Sequence, residues 1–345
     1  MSPALSTIPN PYADAHKSPE GPGDARPTTA QILADNDAIG KFVDKTFLVT
    51  GGTDGLGLET VRSLLKTGAH VWFSARNEGK AEKVKKELLQ QDTSARLDWI
   101  KIDNASLESV QLGAEDFLRR SKNLNVLICN AGIGNVPHSL TKEGHEIQFG
   151  VNHLAHFYLF QLLRPLLLAS STPSFNSRVV TVSSLAHSFA TDYAELVDLG
   201  PGYNPLVAYG QSKTANIWMT NEIERRYGAH GIHGIAVHPG NIQTAAFLTF
   251  DQRAMEKLAP IFQKEEFQKA FLSVEQGAAN QVLAAIGRDF EGKGGFYMNE
   301  CGVAQIWPDN VEMQSNGYLP WAYNPEGEKR LWADSLEMVG LKDEQ

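Results

Sequence analysis

From about residue 45 to residue 300, short apolar runs alternate with longer stretches in which apolar residues recur at helical spacing. The runs are almost continuously apolar, which is typical of strands buried on both faces of a sheet. In the first helical stretch Leu58, Val61 and Leu64 share one face, and Gly68 ends it. The alternation predicts an α/β fold, a doubly wound (Rossmann-type) parallel sheet with helices on both faces. The predicted strands are 47–50, 71–74, 97–102, 126–129, 179–183, 235–238 and 296–298.

Composition divides the chain into three parts. Residues 1–27 hold six of the sixteen prolines, and they predict an extended, Pro-rich N-terminal arm with little intrinsic structure. A tail without further role is favoured over a lid or a partner-binding arm. Residues 28–305 show no internal repeat and are predicted to form one domain, in which Thr28 and Thr29 cap a first short helix. Residues 306–345 are expected to pack back on that domain.

The overall composition excludes several classes of protein. With 42% apolar and 21% charged residues and a net charge of −9, the 345-residue chain resembles soluble globular proteins and is poorly suited to bind nucleic acid. Two cysteines, Cys129 and Cys301, cannot form a disulfide framework, which favours a reducing compartment. No apolar run reaches the roughly 18 residues of a membrane span, and no targeting pattern is visible. We therefore expect a cytoplasmic protein, with peripheral membrane contact still open.

A glycine-rich turn, residues 50–57 (TGGTDGLG), follows the first predicted strand and opens the first predicted helix. Glycines there let the backbone approach a pyrophosphate, and the N-terminus of the helix favours its negative charge. The spacing of Gly51, Gly55 and Gly57 matches neither the G-x-G-x-x-G fingerprint nor a P-loop. The position between a strand and a helix nevertheless predicts a dinucleotide site.

Arg76 follows the second predicted strand, where such folds meet the adenosine ribose of a dinucleotide. A carboxylate there would bind the ribose 2′-hydroxyl, whereas a guanidinium suits a 2′-phosphate. Arg76 therefore favours NADP(H) over NAD(H). Two observations weigh against this preference: arginine is common on surface loops, and Asp54 in the glycine turn would face the phosphates unfavourably.

Tyr209 and Lys213 lie four residues apart at the start of a long helical stretch that ends near Arg226. Residues at this spacing share a helix face, so the Lys213 ammonium can lie near the Tyr209 hydroxyl. An isolated phenol ionises at about pH 10, and a nearby cation favours the ionised form. Such a phenol can give or take a proton near neutral pH. The alternative is a chance pair on the surface.

Polar residues follow three other predicted strands. Ser183 and Ser184 end one of them, Asn130 follows another, and His238 ends a third. The carboxyl ends of strands in an open parallel sheet line the ligand crevice, so these residues are expected to gather there. A serine hydroxyl at such a place can bind a substrate carbonyl, although serine is also an ordinary turn former. No histidine or cysteine grouping has the spacing of a zinc site, and no metal is expected.

Together these motifs resemble the short-chain dehydrogenase/reductase superfamily over about residues 28–338. The family's motifs occur here in its order: the glycine turn, Asn130-Ala-Gly, Asn152, Ser184, Tyr209-x-x-Ser-Lys213 and His238-Pro-Gly. A closer resemblance is to the retinol dehydrogenase and WW-domain-containing oxidoreductase branch. Its marks are residues 75–77 (ARN), 151–154 (VNHL), 276–279 (QGAA) and 292–297 (GKGGFY).

The resemblance implies an oxidoreductase that moves a hydride between the nicotinamide of NADP(H) and a carbonyl or alcohol. It implies that Tyr209 is the general acid/base, and that Lys213 holds the nicotinamide ribose and lowers the pKa of Tyr209. It further implies that Ser184 orients the carbonyl and that Asn152 supports a water-linked proton relay to Lys213. These four are the implied catalytic residues.

The resemblance also implies a set of cofactor contacts. Leu56 would back the pyrophosphate turn, Asp103 would meet the adenine, and Asn130 would lie beside the adenosine ribose. Ile242 and Thr244 would bind the carboxamide and the pyrophosphate. The full implied set is Gly51, Thr53, Gly55, Leu56, Gly57, Arg76, Asp103, Asn130, Tyr209, Lys213, Ile242 and Thr244.

The same resemblance assigns residues 185–208 and 244–275 to the substrate pocket, which Phe247, Leu248 and Phe250 would make apolar. It implies a small lipophilic ketone, aldehyde or alcohol, such as a retinoid, a steroid or an aromatic secondary metabolite. The reaction direction stays open, because cofactor ratios decide it. A non-catalytic NADP(H)-binding scaffold or redox sensor is the alternative. Homo-oligomers are common in the family, but no interface signal is visible in the sequence.

Overall fold

A computed structural model describes residues 8–190, 202–242, 264–308 and 317–343. Its strands are β1 (Thr46–Val49), β2 (His70–Ala75), β3 (Arg96–Lys101), β4 (Val126–Cys129), β5 (Ser177–Val182), β6 (Ile232–Val237), β7 (Asn241–Ile242), β8 (Phe271–Leu272), β9 (Phe296–Asn299) and β10 (Gly302–Val303). Within these ranges one sheet has the order β3-β2-β1-β4-β5-β6-β9-β10, with only β10 antiparallel, and β7 and β8 form a parallel pair. The strand order reverses at β1 and β4, the point where open parallel sheets bind ligands.

The sheet is buried on both faces because successive strand residues point into two different cores. In β1, Phe47 and Val49 belong to one core, and Leu48 between them belongs to the other. Trp72 and Phe73 of β2 divide in the same way. Strands with apolar residues on both faces read as continuous apolar runs, which is the pattern seen in the sequence. The predicted doubly wound α/β fold is confirmed.

Helices cover the two faces of the sheet. They are α1 (Thr29–Asp35), α2 (Gly55–Leu65), α3 (Glu78–Gln91), α4 (Leu107–Arg120), α5 (Ile147–Phe149), α6 (Ala155–Ser170), α7 (Pro205–Tyr227), α8 (Glu265–Ala270), α9 (Val274–Ile286) and α10 (Pro325–Met338). A π-helical turn, Gly150–Leu154, joins α5 to α6. Helices α1, α2, α3 and α9 contribute to one core, and α4, α6, α7 and α10 to the other. Among the described residues, no helix is long and apolar enough to cross a membrane.

Side-chain caps mark where several helices begin. The Thr28 hydroxyl accepts a hydrogen bond from the Gln31 amide at the start of α1, as predicted. At α7, the Asn204 side chain accepts from two backbone amides, and Pro205 occupies the first helical turn. Such caps satisfy amides that have no partner inside the helix. Tyr209 and Lys213 therefore lie near a well-defined helix start.

Residues 8–27 differ from the expected arm with little structure. The Tyr12 hydroxyl donates a hydrogen bond to Asp35 (3.0 Å), and Arg26 is only 5% exposed. Residues 13–16 form a short 3₁₀ helix. The prolines and glycines are typical of a segment with little intrinsic structure, and they carry no information about single anchoring side chains such as Arg26.

The C-terminal segment ends in α10, which packs on α6 and α7. The Trp332 ring meets Phe157 edge-on, with 4.9 Å between ring centroids, and lies 4.8 Å from the Arg226 guanidinium. Ser335 shares a hydrogen bond of 2.9 Å with the buried His153. The last helix thus completes the core on this face of the sheet.

Candidate active site

A cleft of about 460 Å³ lies at the carboxyl ends of β1, β2, β3 and β4. Turn residues after each of these strands line it, as expected at the reversal point of an open parallel sheet. The lining residues that were assigned to the cofactor from the sequence are Gly51, Thr53, Gly55, Leu56, Gly57, Arg76, Asp103 and Asn130. The structure therefore brings these together from four separate turns.

The glycine turn has a backbone shape that other residues would disturb. Gly51 and Gly55 have φ values of +70° and +51°, in the left-handed region that favours glycine. A Cβ at Gly57 would lie 2.2 Å from the Gly51 carbonyl oxygen and 2.6 Å from Asn130 Nδ2. The Asp54 carboxylate accepts a hydrogen bond from the Gly55 amide (2.8 Å) and caps α2. The acid in this turn therefore has a structural role at the helix start.

Hydrogen bonds between side chains and backbone join the ends of β1 and β4. The Thr50 hydroxyl accepts hydrogen bonds from the backbone amides of Asn130 and Ala131, both at 2.9 Å. Asn130 Nδ2 donates to the Thr50 carbonyl oxygen (2.9 Å), and Gln281 Nε2 donates to Asn130 Oδ1 (3.3 Å). Asn130 thus holds the cleft wall in shape as well as lining it. Gln281 comes from the distant α9, so local spacing could not reveal it.

Arg76 lies in the cleft directly after β2 and is exposed. Within the described part of the chain, no hydrogen bond or ion pair holds its guanidinium. Two polar side chains near it bond to the backbone of their own turns. Asn77 Oδ1 accepts from the Lys80 amide (2.9 Å) at the start of α3, and Asp103 Oδ1 accepts from the Ala105 amide (3.0 Å). Arg76 therefore offers the cleft a cation that is available to an anionic group.

Tyr209, Lys213 and Ser184 meet near the end of β5. Lys213 Nζ lies 5.4 Å from the centroid of the Tyr209 ring, one helical turn away in α7. The Ser184 side chain hydrogen-bonds the Tyr209 side chain. Lys213 Nζ donates to the Val182 carbonyl oxygen (2.9 Å), and the lysine is buried. Three polar groups that the sequence placed on two separate elements therefore share one site.

Asn152, in the π-helical turn, holds the loop that follows β4. Its Nδ2 donates to the Ile133 carbonyl oxygen and to Ser212 Oγ, and its Oδ1 accepts from the Ile133 amide, all at 2.9 Å. At Gly132 in the same loop, a Cβ would lie 3.1 Å from Asn152 Oδ1 and 3.5 Å from Lys213 Nζ. Gly132 also lines the cleft, so the cofactor cleft and the tyrosine–lysine pair are contiguous.

Two buried histidines hydrogen-bond the backbone of Ser184 and Asn152. His187 Nδ1 hydrogen-bonds the Ser184 carbonyl oxygen (2.8 Å), and its Nε2 accepts from the Leu319 amide (3.4 Å). His156 Nδ1 hydrogen-bonds the Asn152 carbonyl oxygen (2.8 Å). Burial lowers the pKa of each ring to about 4, so both are neutral at physiological pH. The role of His187 was not predicted, although it stands only three residues after Ser184.

Burial shifts the pKa values of the central pair in opposite directions. It lowers the pKa of Lys213 to about 8 and raises the pKa of Tyr209, and the hydrogen bond from Ser184 offsets only part of the rise. The resemblance implied that Lys213 lowers the pKa of Tyr209, and the structure does not show this. The reason is that loss of hydration around the phenol dominates, while the ammonium is directed to the Val182 carbonyl oxygen.

Ile242 lies in β7, close to the glycine turn. A Cβ at Gly277 would be 2.6 Å from Ile242 Cδ1 and 3.0 Å from Leu56 Cδ2, so the two side chains flank this glycine. Thr244 lies outside the described residues. So do residues 191–201 and the three apolar residues assigned to the substrate pocket, Phe247, Leu248 and Phe250.

Comparisons with known proteins agree with this geometry. A family model described as short chain dehydrogenase matches residues 45–254. A short-chain dehydrogenase/reductase, prx1, of Penicillium roqueforti is 43% identical over 332 residues, which cover 96% of each chain. The human WW domain-containing oxidoreductase is 35% identical over 92% of this chain and 72% of its own length.

A solved structure of similar fold is carbonyl reductase from chicken fatty liver, determined with NADPH bound. It has a TM-score of 0.56 and 22% identity, and the match covers 76% of this chain and 99% of that one. At this identity it supports the fold alone. The family model, by contrast, spans more than half of the chain, and the Penicillium relative matches nearly all of it. The chain therefore belongs to the short-chain dehydrogenase/reductase family of oxidoreductases.

Proposed function

We propose that the protein is an NADP(H)-dependent oxidoreductase that transfers a hydride between the nicotinamide and a lipophilic ketone, aldehyde or alcohol, with Tyr209 as the acid/base. The observation that carries the proposal is the meeting of Tyr209, Lys213 and Ser184 beside the glycine-lined cleft. Gly132 joins the two, because it lines the cleft and lies against Lys213 Nζ. Proton-transfer groups beside a dinucleotide cleft are what hydride transfer to a carbonyl requires.

The cleft residues fit a phosphorylated dinucleotide. The glycine turn presents backbone amides at the N-terminus of α2, where a pyrophosphate is favoured. Arg76 suits a 2′-phosphate because it is exposed in the cleft, and a guanidinium pairs well with phosphate oxygens. The chicken carbonyl reductase, solved with NADPH, shows that this fold can hold that cofactor. Leu56, Asp103, Asn130, Ile242 and Thr244 would complete the binding site. When bound, the cofactor supplies or accepts the hydride.

Tyr209 and Ser184 act on the oxygen of the substrate. In carbonyl reduction the Tyr209 hydroxyl donates its proton to that oxygen, and in alcohol oxidation the phenolate takes the proton back. Ser184 donates a hydrogen bond to the same oxygen and so holds it near Tyr209. The Lys213 ammonium lies 5.4 Å from the centroid of the Tyr209 ring, and as a cation it would favour the phenolate, although burial keeps the net pKa shift of Tyr209 upward. Positioned proton transfer of this kind contributes roughly 10²–10⁴-fold to the rate.

The test is a turnover screen of the purified protein with NADPH and NADH against a panel of lipophilic ketones and aldehydes, followed by loss of the reduced cofactor's absorbance. We expect consumption of NADPH with members of the panel, and slower consumption of NADH. Tight NADPH binding without turnover of any carbonyl or alcohol would instead favour a non-catalytic scaffold or redox sensor.

The cofactor preference has its own prediction. Arg76→Ala should raise the Kd for NADPH by roughly 10–100-fold, the scale of a lost hydrogen bond to a charged group, and leave the Kd for NADH unchanged. Lys83→Ala is a matched control, because Lys83 is an exposed cation of α3 that does not line the cleft. Fluorescence titration with both cofactors measures the two constants. An equal loss of affinity for NADPH and NADH would contradict the assignment of Arg76.

A further inference from the structure

We propose that Arg26 is a positioning residue for the cofactor site, through which the N-terminal arm (residues 8–27) holds the β7–β8 pair against the glycine turn. The inference rests on the proposed function, because its readout is NADPH binding. Arg26 touches neither the cleft nor the groups that would react. It acts through the backbone that carries Ile242, as the following contacts show.

Arg26 binds three successive backbone carbonyls where α8 passes into β8. Its Nη1 donates to the Ala270 oxygen (2.9 Å), and its Nη2 donates to the oxygens of Lys269 (3.1 Å) and Phe271 (2.7 Å). The last carbonyls of a helix have no partner within it, so one guanidinium satisfies a set of acceptors that would otherwise be open. Arg26 Nε donates to Asp24 Oδ1 (2.8 Å), which balances the buried charge.

Gln276 joins the same part of the arm to α9. Its Nε2 donates to the backbone oxygens of Asp24 and Arg26, both at 3.1 Å, and its Oε1 accepts from the Gly23 amide (2.9 Å). The Gly23 φ of +88° is in the left-handed region, which lets the arm turn at this point. Gln276 also forms the capping box of α9 with Ser273. Hydrogen bonds thus join the arm both to the junction of α8 and β8 and to the start of α9.

These elements lead directly to the cleft. Strand β8 pairs with β7, with Leu272 opposite Ile242. Ile242 and Leu56 flank Gly277 in α9, and Leu56 lines the cleft in the glycine turn. Gln281, one turn further along α9, donates to the Leu56 carbonyl oxygen (3.3 Å). A shift of β8 would therefore move Ile242 relative to the glycine turn, and Arg26 holds β8 at the Phe271 carbonyl oxygen.

A role in fold stability alone makes a different prediction from a positioning role. Loss of stability lowers the fraction of folded protein at high temperature, but it leaves the affinity of the folded molecules unchanged. A displaced β7 lowers the affinity for NADPH in molecules that are fully folded. The two roles are separated by measuring cofactor affinity well below the unfolding temperature of each variant.

The experiment uses the full chain and three variants. Arg26→Gln removes the charge and the planar set of guanidinium N–H donors. Arg26→Lys keeps the charge without the planar fork. Tyr12→Phe is the control, because it removes another arm contact, the hydrogen bond to Asp35, without touching β8. We expect Arg26→Gln to raise the Kd for NADPH roughly tenfold, on the scale of typical coupling between sites. We expect a smaller rise for Arg26→Lys, and none for Tyr12→Phe.

An Arg26→Gln variant that unfolds at lower temperature but binds NADPH as the wild type does would overturn the inference. If that variant does not fold, hydrogen exchange on the wild type decides. NADPH should then slow amide exchange in residues 20–28 and 271–272 as well as in the glycine turn, and unchanged exchange in residues 20–28 would overturn the inference. Failure of the wild type to bind NADPH at all would refute the proposed function itself, which separates the two failures.

Discussion

At the scale of single residues, burial shifts the pKa values of Lys213 and Tyr209 in opposite directions. Removing water disfavours the charged form of each group, which lowers the pKa of the amine to about 8 and raises the pKa of the phenol. At neutral pH the phenol is therefore protonated and the amine is mostly charged. This state suits donation of a proton to a carbonyl, with a cation beside the phenolate that forms.

The lowered pKa of Lys213 predicts a pH dependence. As pH rises through about 8, the lysine loses its charge and the phenolate formed during reduction loses its stabilising neighbour. Carbonyl reduction should therefore fall above that pH. In Lys213→Arg the residual activity should not fall over this interval, because a guanidinium stays charged. Rate against pH for both proteins provides the test, and loss of activity over the same interval in both would contradict it.

The sequence indicated the Tyr209 and Lys213 pair because both lie on one helix, where spacing alone determines which side chains are neighbours. It could not indicate the sign of the pKa shift of Tyr209. That sign depends on burial and on Ser184, which another element supplies. The same limit applies to His187, whose contact with Leu319 joins residues 132 positions apart.

At the scale of elements, the glycine turn tolerates little change. The N-terminus of α2 packs so closely on the turn that Gly57 has no room for a side chain. The close packing that requires glycine at this position also brings backbone amides to the cleft, where they can bind a pyrophosphate.

Gly57→Ala should therefore destabilise the protein by about 1–3 kcal/mol, as an overpacked site does, and abolish NADPH binding. Gly79→Ala is the matched control. It lies in α3, where a new Cβ would meet only Asn77 Oδ1 at 3.5 Å, an ordinary contact. This variant should be neutral or more stable by up to about 1 kcal/mol. Urea unfolding and cofactor titration measure both effects, and normal binding by Gly57→Ala would show that the turn adapts.

Strands and helices of the central fold could be predicted from sequence because their apolar periodicity is local. The individual side-chain contacts that hold the two terminal segments against the domain could not. Arg26 and Phe271 are 245 residues apart, and nothing in the Pro-rich composition of the arm marks that contact. In the sequence, likewise, Trp332 cannot be told apart from other apolar helix residues, because its contact with Phe157 depends on how α10 packs on α6.

At the scale of the whole molecule, four buried histidines are held neutral. Burial lowers the pKa of His153 and His238 to about 3 and that of His156 and His187 to about 4. In the unfolded chain the same rings titrate at about 6.5. Between those values the unfolded chain binds protons that the folded protein does not, so acid favours unfolding.

We therefore predict that the free energy of unfolding falls by several kcal/mol as pH drops from about 6.5 to 4. His153→Gln should make this fall less steep, because it removes one of the buried groups. His230→Gln, at an exposed position, is the control and should leave the slope unchanged. Urea unfolding at a series of pH values gives the slopes. A flat profile in the wild type would show that these rings are not held neutral.

The central claim, that Tyr209 is the group that exchanges a proton with the substrate, is tested most directly by Tyr209→Phe. The measurement is single-turnover oxidation of NADPH with a carbonyl substrate of the wild type, together with the Kd for NADPH of both proteins. We predict that the variant binds NADPH with nearly unchanged affinity and loses turnover by at least the roughly 10²–10⁴-fold of a missing general acid. A variant that still reduces the substrate at the wild-type rate would contradict the account.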